Sequence, residues 1–300
     1  MARIRYEKLP TEQPNPQSSR LDCLSVEAIL KKINLEDRAV PGAVDRARPR
    51  IAQAVKIIVP AIRKGGRLFF AGAGTSGRLG VLEAAECPPT FNTKPGEIQA
   101  VMAGGKRAVF RSQEGAEDRS EEAFILFKKK LTRRDVLVGI AASGVTPFVH
   151  GALKAARVKK CKTILITCQS APPNKSLIDV LIPLKVGPEI ITGSTRMKAG
   201  TATKLALNML TAASMIRLGK VYRNWMVDLQ PRSQKLRHRA LRMIQNLGTV
   251  SSTQAENYFR KAGRNVKVAI LMARTGLTAA QARARLKRHE GFLSRALDKP

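Results

Sequence analysis

Residues 67–91 read RLFFAGAGTSGRLGVLEAAECPPTF. Arg67 to Ala71 is a short apolar run following Gly65-Gly66, and it reads as a buried strand. Gly72 and Gly74 then let the backbone turn sharply and approach closely, since glycine has no Cβ to obstruct either. Thr75 and Ser76 supply hydroxyls, and Leu79, Leu82 and Ala85 recur at helical spacing, so the loop empties into a helix N-terminus. Backbone N–H groups without partners and the positive end of the helix dipole favour an anion at such a point. The segment therefore predicts a phosphate cradle, with a proton-transfer candidate, Glu86, further along the same helix. Cys87-Pro88-Pro89 is expected to stop that helix after about three turns.

Gly72, Gly74 and Gly77 also satisfy the dinucleotide pattern G-x-G-x-x-G. Three features argue against a dinucleotide: hydroxyls fill the space a pyrophosphate needs, the helix is expected to be short, and the next strand does not end in an acidic residue. Glu97 lies near the beginning of that strand. No cofactor is expected.

Composition narrows the class. The chain has 300 residues, 44% of them hydrophobic, enough for one large domain or a domain with a smaller appendage. Lys and Arg number 54 against 22 Asp and Glu, a formal net charge of +32. The basic run from Arg232 to Arg242 is a natural nucleic-acid contact. Yet the basic residues spread along almost the whole chain, only three tyrosines and one tryptophan could stack on bases, and no helix-turn-helix pattern is evident. Dispersed charge reads instead as a solvated surface that speeds capture of a phosphorylated substrate. The first twenty residues lack the apolar core of a signal peptide, and no apolar run has the length of a membrane span. Cys23, Cys87, Cys161 and Cys168 are scattered, so neither a metal site nor a disulfide framework is expected, and a reducing cytoplasm is the expected location.

Beyond the first strand and helix, apolar runs at 99–103, 135–141, 163–167 and 180–184 alternate with helical stretches at about 120–130 and 147–158. This is the rhythm of a parallel sheet covered on both faces, an α/β fold with five strands. Ligands in such sheets lie at the carboxyl ends of the strands. Three hydroxyl-bearing loops fall at or near that edge: Thr75-Ser76-Gly77; Ser143-Gly144-Val145-Thr146, with Pro147 opening a helix; and Thr192 to Lys198, opening a long helix that runs to about Leu218. Hydroxyls cap helices everywhere, but three such loops on one sheet point to an anion site. Thr75, Ser76, Ser143, Gly144, Thr146, Ser194 and Lys198 are the candidate substrate contacts. His150, one turn into its helix, reads as a packing or surface residue, and His238 and His289 have no evident metal partner.

Amphipathic helices are expected from Ser25 to about Asn34 and from Val44 to about Arg63. Thr253 with Glu256, and Thr278 with Gln281, each fit a capping box and mark helices beginning near 254 and 279. The expected organisation is an N-terminal arm and helix over 1–50, the sheet domain over 51–235, and a small three-helix module over 236–300.

Several motifs carry a resemblance when taken in order: Thr11-Glu12-Gln13-x-Asn15-Pro16, Leu21-Asp22-x-Leu24-Ser25, Gly72 to Gly80, Glu86-Cys87-Pro88-Pro89-Thr90, Glu114 to Asp118, Gly139 to Pro147 without Val145, and Thr192-Gly193-Ser194-x-Arg196 to Thr201. Together they resemble the N-acetylmuramic acid 6-phosphate etherases over nearly the whole chain. The regulatory protein of glucokinase shares that ancestry but is much longer. The resemblance implies a sugar-isomerase (SIS) fold, a homodimer, and cleavage of the lactyl ether of N-acetylmuramic acid 6-phosphate to N-acetylglucosamine 6-phosphate and D-lactate, in recycling of cell-wall sugars. It assigns Glu86 as proton donor to lactate and Glu117 as the second acid–base residue, the C2 base. Helix position agrees: Glu86 is expected near a negative helix end, which disfavours a carboxylate and suits an acid, and Glu117 precedes a positive end, which favours one and suits a base.

The chain departs from the family at Ala85, where a serine is usual before the glutamate, at Pro231-Arg232-Ser233, and at Glu290 before Gly291. These bear on substrate affinity more than on reaction type. Two rival readings use the same pocket: a sugar-phosphate-sensing regulator without turnover, and a sugar-phosphate isomerase.

Overall fold

A computed structural model describes residues 5–231 and 233–298; Arg232, at the head of the basic run and within one of the departures, lies outside them. The chain divides into two compact units. Ala85–Pro95 and the chain from Ala212 onward form the second, and the remainder forms the first.

In the first unit, α1 (Val26–Asp37) starts at Ser25, whose side chain accepts from Ala28 N–H. The second helix, α2 (Ala39–Arg63), continues through Pro49 and Pro60 because an apolar stripe including Val44, Ala47, Ile51, Ala54, Ile58 and Ile62 is buried along it. Five strands, β1 (Leu68–Gly72), β2 (Ile98–Met102), β3 (Val136–Ile140), β4 (Lys162–Thr167) and β5 (Val180–Pro183), make one parallel sheet in the order β2-β1-β3-β4-β5. The central strands β1 and β3 are buried at every position, which is why they read as unbroken apolar runs. Between and after the strands run α3 (Gly74–Phe91), α4 (Gly105–Phe110), α5 (Ser120–Lys130), α6 (Pro147–Val158) and α7 (Lys198–Arg217). Phe69, Leu137 and Leu165 meet Phe127, Phe148, Val149 and Leu153 of α5 and α6 in one apolar cluster.

The register places Gly72 beside Ile140 and Ile140 beside Ile166, so the carboxyl ends of β1, β3 and β4 are level. The other ends of β1 and β3 are tied by one carboxylate. Asp135, with its side chain 1% exposed, accepts from the Arg67 guanidinium at 2.7 Å, from Arg67 N–H at 2.8 Å and from Thr132 N–H at 2.8 Å.

The first difference from expectation lies in α3. Pro88 and Pro89 sit inside the helix, which runs on to Phe91. The stop comes from Asn92, which takes a left-handed φ of 52° while its N–H bonds Pro88 O at 2.9 Å. Glu86 therefore lies five residues before the helix end, and the premise of a carboxylate at a negative terminus does not hold.

In the second unit, the tail holds five helices where three were expected: α8 (Gln234–Gly248), α9 (Ser252–Lys261), α10 (Val266–Thr275), α11 (Ala279–Arg288) and α12 (Leu293–Leu297). Each break is made by left-handed residues: Thr249, Gly263 with Arg264, Gly276, and Glu290 with Gly291. The capping box at Thr278 and Gln281 forms as expected, but the one before it is Ser251 with Gln254, which leaves Thr253 inside its helix. Helix α10 is buried from Val266 to Met272, and Lys267 donates to Asp228 at 2.7 Å, so its charge is matched inside the core.

Burial alone would raise the Asp135 carboxyl, but the Arg67 guanidinium and the Thr132 and Arg67 amides outweigh it and hold it below the usual aspartate range. Its contribution to stability is then complete above the unfolded-state value of about 3.9 and is lost as pH falls through the lower folded value. Asp135→Ala should cost about 3 kcal/mol at pH 7 in urea unfolding, the low end for a broken buried pair because Arg67 can regain water. Asp135→Asn should flatten the acid limb of stability against pH; an unchanged limb would contradict the assignment.

Candidate active site

The sheet's carboxyl edge opens into a cleft of about 370 Å³, lined by Gly74, Thr75, Ser76, Glu117, Ser143, Thr146, Gly193 and Thr195, among others. A smaller lobe of about 130 Å³ adjoins it, lined by Arg78, Met102 and the 112–117 segment. Glu117, Gly74 and Ala73 line both lobes.

The cradle forms because two glycines touch. A Cβ on Gly72 would lie 2.7 Å from Gly77 N, and one on Gly77 would lie 2.8 Å from Gly72 O and 2.7 Å from Met102 Cγ. Only at this closeness can α3 start directly off β1 and present its first-turn amides and the Thr75 and Ser76 hydroxyls to the cleft. Arg78, one turn on, donates from Nε to Val109 O and from Nη2 to Ala108 O, both at 2.9 Å, and so fixes α4 beside the smaller lobe.

The second loop follows β3. Gly144 takes a φ of 74°, with Thr167 Oγ1 2.9 Å from where its Cβ would be, so no other residue fits this turn. Val145 N–H donates to Ser143 Oγ at 3.3 Å, and Thr146 enters α6 without a side-chain cap. The reading of His150 as packing is refined: it is buried, and its Nε2 lies 2.9 Å from Gly144 O. A carbonyl only accepts, so Nε2 carries the proton, and Nδ1 is left buried without a partner. Burial lowers the imidazole's proton affinity, against the Gly144 hydrogen bond. The histidine is thus a neutral strut under the Ser143–Thr146 loop.

The third loop behaves differently. Glu189, 1% exposed, accepts from Lys198 N–H at 3.0 Å and from Ala199 N–H at 2.8 Å, so the first amides of α7 are already taken by the protein's own carboxylate. Burial pushes the Glu189 carboxyl up despite these donors. Lys198 is 2% exposed and its ammonium donates to Glu36, so the structure gives it an internal partner. Gly193 and Thr195 line the cleft, while Ser194, between them, is not among the lining residues.

Thr75, Ser76, Glu117, Ser143 and Thr146 are therefore brought together, with Gly144 shaping their loop. Glu117 stands on the 3-10 turn Ala116–Asp118, ahead of α5, and is exposed to the cleft. Glu86 is not among the residues gathered there; it is exposed on the part of α3 that belongs to the second unit. Glu83, one turn earlier, is buried and accepts from Lys204 and Thr211. Residues that sequence reasoning missed are Tyr6, Leu9, Glu12 and Asp118, all of which line the cleft. The Thr11-Glu12 motif signalled the arm, but nothing local said where it would lie.

Burial raises the thiols of Cys161 and Cys168 to about 12, so neither is a nucleophile at neutral pH. Among the described residues, no three His, Cys, Asp or Glu side chains gather in a metal-binding group, and no helix is long and apolar enough to cross a membrane.

Residues 50–157 match the glucokinase regulatory protein N-terminal SIS domain family. Among solved structures, a phosphoheptose isomerase from Francisella tularensis is 18% identical, with a TM-score of 0.47, over 63% of this chain and 99% of that one. A phosphoheptose isomerase from Neisseria gonorrhoeae is 19% identical, with a TM-score of 0.46, over 63% and 97%. Full-length relatives are much nearer. The N-acetylmuramic acid 6-phosphate etherase of Gloeothece citriformis is 47% identical over 97% of this chain and 95% of its own. That of Salinibacter ruber is 49% identical over 97% and 94%, and that of Edwardsiella ictaluri 46% over 98% and 99%. With this identity along both chains and a parallel sheet of the SIS type around its cleft, the chain belongs to the N-acetylmuramic acid 6-phosphate etherase family.

Proposed function

We propose that the protein cleaves the D-lactyl ether of N-acetylmuramic acid 6-phosphate, giving N-acetylglucosamine 6-phosphate and D-lactate in recycling of cell-wall amino sugars. The observation that carries the reading is identity of 46–49% with proteins of that name over at least 94% of their length. A cleft of suitable chemistry supports it. The phosphate is assigned to the α3 amides and the Thr75, Ser76, Ser143 and Thr146 hydroxyls.

With the sugar ring open, the C2 proton lies α to the aldehyde carbonyl. Glu117 removes it; the electron pair forms the C2–C3 double bond as the C3–O bond breaks, and Glu86 gives a proton to the departing lactyl oxygen. Water then adds across the double bond, hydroxide to C3 and a proton to C2, so the net reaction is hydrolysis. Exposure of Glu117 to both lobes of the cleft supports its role as base. The role of Glu86 rests on its motif, Glu86-Cys87-Pro88-Pro89-Thr90. The regulator reading is not favoured, because the full-length relatives are named as etherases.

We further infer a homodimer in the cytoplasm. Leu82 on α3 and Leu205 and Met209, one turn apart on α7, are exposed apolar residues of the first unit, and four free cysteines suit a reducing compartment.

Purified protein given N-acetylmuramic acid 6-phosphate should release D-lactate, and its mass by light scattering should be twice that of the chain; binding without lactate would favour the regulator. Glu117→Gln should lower kcat by about two to four powers of ten. In deuterated water, Glu86→Gln should still exchange the C2 proton while losing lactate release. Lactate release without exchange would reverse the two roles.

A further inference from the structure

The N-terminal arm has no part in the reaction as described, yet it forms a wall of the cleft. Tyr6, Leu9 and Glu12 line the larger lobe together with Ser76, Ser143, Thr146 and Glu117. Leu9 and Thr11 are buried, so this mostly irregular segment is seated, not loose. Thr11 Oγ1 donates to Glu12 Oε1 at 3.1 Å, and Glu12 Oε2 lies 3.3 Å from the place a Cβ on Gly193 would occupy. A carboxylate offers about four acceptor sites, and the threonine takes one.

A second cluster explains why the arm stays in place. Asn15, also buried, donates from Nδ2 to Glu36 at 2.7 Å and to Pro188 O at 3.2 Å, and its Oδ1 accepts from Gln17 N–H at 2.9 Å. Glu36 accepts in addition from the buried Lys198. Burial would raise the Glu36 carboxyl, but Lys198 and Asn15 outweigh it and hold it low, so the carboxylate stays ionised. Three residues far apart in sequence thus fasten the arm three positions after Glu12.

We propose that Glu12 is a substrate-binding residue, accepting hydrogen bonds from the hydroxyl and amide N–H donors of the sugar, and that Asn15, Glu36 and Lys198 are positioning residues that hold it there. The proposal rests on the reading of the cleft as a sugar-phosphate site. Its physical basis is the chemistry of the lining: the α3 and α6 loops offer amides and hydroxyls that suit a dianion, whereas the carboxylates of Glu12, Glu117 and Asp118 repel a phosphate and attract neutral donors. A sugar phosphate is then held with its phosphate at Thr75 and Ser76 and its hydroxyl and amide donors at the carboxylates, Glu12 among them.

The test uses titration calorimetry of the full chain with N-acetylglucosamine 6-phosphate and, separately, inorganic phosphate. Glu12→Gln should weaken the sugar phosphate by about tenfold, the value of one charge-assisted hydrogen bond, and leave inorganic phosphate within about twofold. Asn15→Ala should weaken the sugar phosphate in the wild-type background but add little to Glu12→Gln, because it acts through Glu12. Unchanged sugar-phosphate affinity in Glu12→Gln, an equal loss for inorganic phosphate, or no saturable binding by the wild type would each overturn the proposal. Lactate release by the wild type is scored separately, so a failure of the etherase reading is told apart from a failure here.

Discussion

The contact between Gly72 and Gly77 sets everything at the site. With 2.7 Å between Gly77 N and a Cβ that Gly72 does not have, the last residue of β1 and the first turn of α3 share space that no side chain could enter. Because Gly72 is level with Ile140 of β3, the loop after β3 arrives at the same height and meets the start of α3. The cleft is therefore a consequence of backbone packing, made before any functional side chain is placed. Its position at the carboxyl edge follows from the fold.

The charge of the cleft runs opposite to that of the chain. A net charge of +32 surrounds a larger lobe whose charged lining residues are Glu12, Glu117 and Asp118, all acidic. An anion held there must rely on amides, hydroxyls and helix dipoles, whose dipolar fields act over about one turn. The surface charge acts differently: screening over about 8 Å at physiological salt limits it to speeding encounter, not to holding the ligand in place. For the base role proposed for Glu117, neutral phosphate donors avoid a neighbouring cation, which would lower a carboxylate's basicity.

What could be read from the sequence was whatever depends on near neighbours. The strands were legible because burial on both faces makes them unbroken apolar runs, and α5 and α6 because Ser120 and Pro147 mark their starts. The glycine turns at Gly72 to Gly77 and at Gly144 were legible because glycine has few reasons to occur there other than geometry. The misreadings share one cause, a partner remote in sequence or a conformation that propensity disfavours. Lys198 stands in a hydroxyl-rich loop, and nothing near it in the sequence points to its internal partner Glu36. Nothing near the start of α7 points to Glu189, nine residues earlier, as the cap of its first amides. Pro88 and Pro89 looked like a stop because proline opposes helix, yet Asn92 supplies the stop.

His150 shows how the two kinds of information combine at the site. As the fourth residue of α6 it could be a core residue of no consequence, and its burial agrees with that. But its Nε2 holds the carbonyl of Gly144, the residue whose positive φ shapes the loop between Ser143 and Thr146, while Nδ1 has no partner. An unpaired buried nitrogen costs stability, and an apolar side chain would avoid the cost. A leucine there, however, would leave the Gly144 carbonyl without its donor and the loop without its strut. The histidine thus leaves one nitrogen unpaired and in return holds the loop that carries the Ser143 and Thr146 hydroxyls.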